Sequence, residues 1–115
     1  MSESVVSIST DGSRLAVGFP TSGAGIVSIK QTYSSESEEI LGASDGDKFG
    51  GAVASSADGT TIVVGSHEST KGHVQVFSRN GETWDQLGSD IVGQEVGEQF
   101  GRSVAMSSNG GIVAV

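Results

Sequence analysis

A run of sequence that returns within the chain limits the fold more than any other feature. Phe49-Gly50-Gly51-Ala52-Val53-Ala54-Ser55-Ser56-Ala57-Asp58-Gly59 comes back as Phe100-Gly101-Arg102-Ser103-Val104-Ala105-Met106-Ser107-Ser108-Asn109-Gly110, a displacement of 51 residues (100 − 49 = 51). The copies continue into Thr61-Ile62-Val63-Val64 and Ile112-Val113-Ala114-Val115. An earlier copy, Val5-Val6-Ser7-Ile8-Ser9-Thr10-Asp11-Gly12-Ser13-Arg14-Leu15-Ala16-Val17-Gly18, has the same two apolar runs around the same Asp-Gly. Short runs repeating at roughly 50 residues cannot bury their faces singly, so each unit must stack on its neighbours.

The first apolar run of each unit alternates at period two, placing Val6 and Ile8, Val53 and Ser55, Val104 and Met106 on one face. It ends at Asp11-Gly12, Asp58-Gly59 or Asn109-Gly110, which reads as a type I′ hairpin, whose two central residues need positive φ. A second strand follows, with Leu15 and Val17, Ile62 and Val64, Val113 and Val115 expected to point inward. A loop rich in small polar residues leads to a third, Gly25-Ile26-Val27-Ser28-Ile29 and Gly72-His73-Val74-Gln75-Val76-Phe77. Asn80-Gly81 turns into a fourth, Thr83-Trp84-Asp85-Gln86-Leu87-Gly88, matched more weakly around Ile40-Leu41-Gly42. Asp11 to Asp58 and Gly25 to Gly72 are both displacements of 47 (58 − 11 and 72 − 25), so the change to 51 arises after the third strand. It is assigned to a longer segment from Gly88 to Phe100 than from Gly42 to Phe49.

Four antiparallel strands followed by another copy is the pattern of β-propeller blades. The fold class expected is all-β, a propeller fragment of about two and a half four-stranded blades. Blade 1 is read at residues 1–46, blade 2 at 47–97 and a partial blade 3 at 98–115. A propeller closes with about four to eight blades, so 115 residues are read as part of a longer array or as a self-assembling unit. The 18 glycines recur beside β-branched runs and mark turns, and the absence of cysteine excludes a disulfide framework and thiolate chemistry. With 14 acidic against 6 basic residues and a net charge of −8, a nucleic-acid backbone or an anionic membrane surface is a poor partner. The same excess also serves solubility alone. No apolar run approaches membrane-spanning length, and Met1-Ser2-Glu3-Ser4 has neither the basic nor the apolar region of a signal peptide.

Phe49-Gly50, Asp58-Gly59, Val64-Gly65, Gly72-x-Val74-x-Val76 and Val17-Gly18-Phe19-Pro20 resemble FG-GAP repeats, the blades of integrin alpha-type propellers. Trp84-x-Gln86-Leu87-Gly88-x-Asp90-Ile91-x-Gly93, followed by Phe100-Gly101-x-Ser103-Val104-Ala105, is similar to the large repeat proteins of diatoms. The resemblance implies an innermost first strand, an outermost fourth, and a ligand face made of the second-to-third and fourth-to-first loops. It also implies an extracellular or cell-surface parent. On that face the candidate residues are Pro20, Thr21 and Ser22, then Asp45 and Asp47, then His67, Glu68, Ser69, Thr70 and Lys71, and lastly Glu95 and Glu98. Integrin-type blades often carry an Asp-x-Asp-x-Asp-Gly calcium loop, of which Ser9-Thr10-Asp11-Gly12 and Ser56-Ala57-Asp58-Gly59 keep only the final pair. One carboxylate cannot supply the six to eight oxygens that calcium takes.

Other chemistry is weighed residue by residue. Phe49 and Phe100, each followed by glycine, read as wedges between blades, and Trp84 as cover for an outer edge. His67 and His73 lie six apart, which is no zinc spacing, and Ser66-His67-Glu68 has no counterpart in the first unit. Asp45-Gly46-Asp47 is half of a calcium loop, with solvated turn residues as the plain alternative. No metal and no cofactor are expected. The function expected is a non-enzymatic propeller module for protein or glycan interaction, with self-association or packing against further blades. The alternatives are a structural spacer without ligand, or a piece of a propeller hydrolase or lyase; the latter is disfavoured because the innermost strands offer Val, Ile, Ser, Ala and Met instead of carboxylate or His.

Overall fold

A computed structural model describes residues 5–8, 12–20, 24–31, 37–42, 48–57, 59–67, 72–81, 83–94, 100–107, 110–111 and 113–115. The protein is all-β. Strands β1 (Val5–Ile8), β2 (Arg14–Phe19), β3 (Ile26–Gln31) and β4 (Ser37–Leu41) form one antiparallel meander in sequence order. Strands β5 (Phe49–Ser55), β6 (Thr61–Ser66), β7 (His73–Asn80) and β8 (Thr83–Gln86) form a second, in which β9 (Ile91–Val92) also pairs with β7. Strands β10 (Ala105–Met106) and β11 (Val113–Ala114) make a short third ladder. Among the described residues there is no helix, and so none long and apolar enough to cross a membrane.

The two large sheets pack through an apolar layer. Ala16, Val27, Ile29 and Ile40 from the first meet Phe49, Val53, Ile62, Val64 and Phe77 from the second, and the rings of Phe49 and Phe77 lie edge to face with centroids 6.2 Å apart. Leu15 and Val17 do not point into this layer. They are half-buried, and Ala16 between them is fully covered, because residues alternate across a strand and it is the Ala16 side that meets the second sheet. Their counterparts Ile62 and Val64 are buried by the first sheet. Val63, on the opposite side of β6, is also fully buried, since β10 lies on that side.

One seam is built twice. Gly50 (φ +89°) sits so close to Gly18 that a Cβ on Gly18 would collide with the Gly50 carbonyl oxygen, and Gly101 (φ +91°) stands in the same relation to Gly65. Glycine is required on both sides, by backbone conformation on one and by space on the other. Phe49, 2% exposed, follows from this, because the close approach carries its ring into the inter-sheet layer.

Two turn readings change. The Gly59 amide donates to Ser56 O at 3.0 Å and Gly110 to Ser107 O at 2.9 Å, so each glycine closes its turn instead of occupying the centre. The Ser56 amide donates to Thr61 O at 2.9 Å, leaving a longer loop in which a left-handed glycine (φ +73°) follows the turn, a connection that suits right-twisted strands as well as type I′ does. The four residues that turn a displacement of 47 into one of 51 also lie elsewhere than read. Gly42 donates to Gly25 O and Gly93 to Gly72 O, both at 2.9 Å, so Gly93 is the counterpart of Gly42, and each precedes its Phe by seven residues (49 − 42 and 100 − 93). The extra residues fall within the fourth strand, which is broken between β8 and β9, and in the hairpin before it.

Candidate functional site

At one rim the apolar layer opens into a cleft of about 560 Å³. Ile29 forms its apolar side; Gln31, Ser37, Glu38 and Glu39 line it from the first sheet, and Arg79, Thr83 and Trp84 from the second. The registers explain why these residues meet. Ile29 pairs with both Ala16 and Glu38, so Glu38 shares the face that meets the second sheet. Arg79, two residues beyond Phe77 on the same face, pairs with Trp84 across the β7–β8 hairpin. The hairpin itself is fixed by Thr83, whose hydroxyl donates to Asn80 O at 2.9 Å, and by Asn80 Nδ2 donating to Asp85 Oδ2 at 3.2 Å.

Glu38 is the junction of the two sheets. Arg79 donates to it through Nε (3.1 Å, to Oε1) and Nη2 (2.9 Å, to Oε2), while Trp84 Nε1 donates to Oε1 at 2.9 Å. The fork of the guanidinium matches the carboxylate, and the indole nitrogen supplies a third donor. Hydrogen bonding from Arg79 holds the Glu38 carboxyl below its ordinary value; burial opposes this, and Trp84 and the charges of Arg79 and Arg14 add to it. The side chains of Arg79 and Glu38 remain 22% and 25% exposed, so the bridge is open to water at its rim.

Of the residues expected on a ligand face, Pro20 is buried after β2 and His67 is half-buried, its ring against the Cα of Gly51. Neither lines the cleft. Thr21, Ser22, Asp45, Asp47, Glu68, Ser69, Thr70, Lys71, Glu95 and Glu98 lie outside the described residues. Among the described residues no three His, Asp or Glu side chains gather as a metal site. Trp84 packs half-buried against the apolar layer; its signal in the sequence is that of a large residue at the start of a strand, while Ile29 and Thr83 are legible only as strand positions. Arg79 could have been joined to it by period two from Phe77 and the Asn80-Gly81 turn; Glu38 had no such signal.

No family model matches the chain, and no curated protein matches it. Among solved structures, Kuenenia stuttgartiensis hydrazine synthase is similar, with a TM-score of 0.63 and 20% sequence identity. The likeness covers 91% of this chain and 26% of that one, so this chain spans about a quarter of the other's length. At that identity it is a likeness of fold.

Proposed function

We propose that the chain is a non-enzymatic β-propeller repeat module that presents a binding surface to a protein or glycan within a larger, adhesion-like protein. The observation that carries this reading is the cleft, whose walls belong to two successive sheets and whose shape is fixed by Glu38, Arg79 and Trp84 before any ligand arrives. The propeller is supported by the repeat of one unit along the chain and by the doubled glycine seam, which sets each sheet on the one before.

A second reading, a spacer without a ligand, draws on the same seam, since its contacts are made by residues that recur from unit to unit. Biolayer interferometry of the immobilised chain against a panel of defined oligosaccharides and synthetic peptides separates the two. An interaction module gives saturable binding to at least one class. Absence of saturable binding across both panels would sink it and leave the spacer.

A further inference from the structure

We infer that the cleft beside Trp84 receives a neutral pyranose unit of a glycan; this rests on the interaction-module reading and names its ligand class. Glu38 is already occupied. It accepts three hydrogen bonds, and Arg79 cancels its charge, so the bridge positions the cleft without offering an unpaired ion to a ligand. Its effect is on Trp84. The indole N–H is held at one end and the ring rests against the apolar layer, so the aromatic surface beside Ile29 is oriented in advance.

Around that surface stand an amide, two hydroxyls and a carboxylate, from Gln31, Ser37, Thr83 and Glu39, all exposed. Such groups between them accept and donate, as sugar hydroxyls require. A pyranose has an apolar C–H face and a rim of hydroxyl groups, which matches an aromatic wall bordered by hydroxyl, amide and carboxylate groups. Phosphate, sulfate and carboxylate ligands would meet Glu39 and a chain of net charge −8. A basic peptide would find Glu38 already paired with Arg79, leaving Glu39 as the single lining carboxylate to meet its charges. The cleft volume lies within the range of small-ligand sites, about 300–1,000 Å³.

Trp84 is the single tryptophan of the chain and so reports on the site directly. The intact chain is titrated with cellobiose, maltotriose and triacetylchitotriose, with oligogalacturonate, and with an oligolysine peptide, while its emission is followed. At least one neutral sugar is expected to change the emission saturably. Gln31→Ala, at an exposed position outside the bridge, is expected to weaken that response about tenfold with an unchanged melting curve. Trp84→Phe, read by calorimetry because it removes the reporter, is expected to lose binding. The inference is overturned if no neutral sugar changes the emission up to about 10 mM, or if the response survives Gln31→Ala unaltered. A response to oligolysine or oligogalacturonate alone also overturns it, but leaves the interaction module standing.

Discussion

Glu38 does at the scale of one residue what the apolar layer does at the scale of a sheet, joining β4 to β7 and β8 through three hydrogen bonds. Glu38→Gln keeps the shape and removes the charge. It is expected to cost about 1–2 kcal/mol in urea unfolding at pH 7, near the lower end for charge-assisted bonds because the pair is partly exposed. The sign of the pH dependence follows from the direction of the shift. A carboxyl held below its ordinary value of 4.5 contributes fully above that value and loses its contribution as pH falls through the lowered one. The gap between wild type and Glu38→Gln should therefore close on acidification, and a gap independent of pH would show that the bridge adds nothing as an ion pair. Phe49, 2% exposed, is the apolar counterpart. Phe49→Ala should cost about 3–5 kcal/mol by leaving a cavity between the sheets, and an effect within about 0.5 kcal/mol in the same assay would place the ring outside the layer.

At the scale of the element, the close approach of β5 to β2 decides how the sheets sit. Replacing a strand glycine by alanine ordinarily gains about 0.5–1 kcal/mol. At Gly18 the sign should reverse, because the new methyl meets the Gly50 carbonyl, and a loss of roughly 1–3 kcal/mol is expected. Gly18→Ala and Gly50→Ala share one contact and should be strongly non-additive in a double-mutant cycle, whereas Gly18→Ala and Gly110→Ala, which meet Gly50 and Thr61 and share no neighbour, should add. Additivity within the first pair would show that the sheets accommodate the methyl by sliding.

For the whole molecule, the two faces of a sheet are the relevant surfaces. Leu15 and Val17 occupy the positions that Ile62 and Val64 fill in the second sheet, yet they are only half-buried where the latter are fully covered. Another sheet of the same kind is the natural cover, which leads us to expect association on this face. By sequence Ser2 and Glu3 stand where the second unit has Phe49 and Gly50, so a contact made there lacks the aromatic wedge and should be weaker than the internal seam. Sedimentation velocity over a concentration series should show an average coefficient rising with concentration. Leu15→Glu, placed opposite Lys30 where it gains a cross-strand ion pair, should flatten the rise without unfolding the sheet. A wild-type coefficient independent of concentration would remove this face from consideration.

The repeat, the strand alternation, the positions of the turns and the wedge role of Phe49 could all be read from the sequence, because each depends on residues within a few positions of one another or on recurrence at a fixed spacing. Two local readings still failed. A glycine closing a turn and one at its centre leave the same Asp-Gly signature, and Gly88 resembled the counterpart of Gly42 until backbone hydrogen bonds identified Gly93. The cleft lay beyond sequence altogether. Trp84 was visible as a large residue at a strand start, but its partner Glu38 lies 46 positions away and Arg79 lies 41 positions from Glu38, in a weakly patterned strand of another sheet. Alternation fixes which residues share a face. Only the packing of one sheet on another decides which face is buried and which side chains meet across the gap, because that depends on register and on the approach permitted at Gly18 and Gly50, not on any property of Glu38 itself.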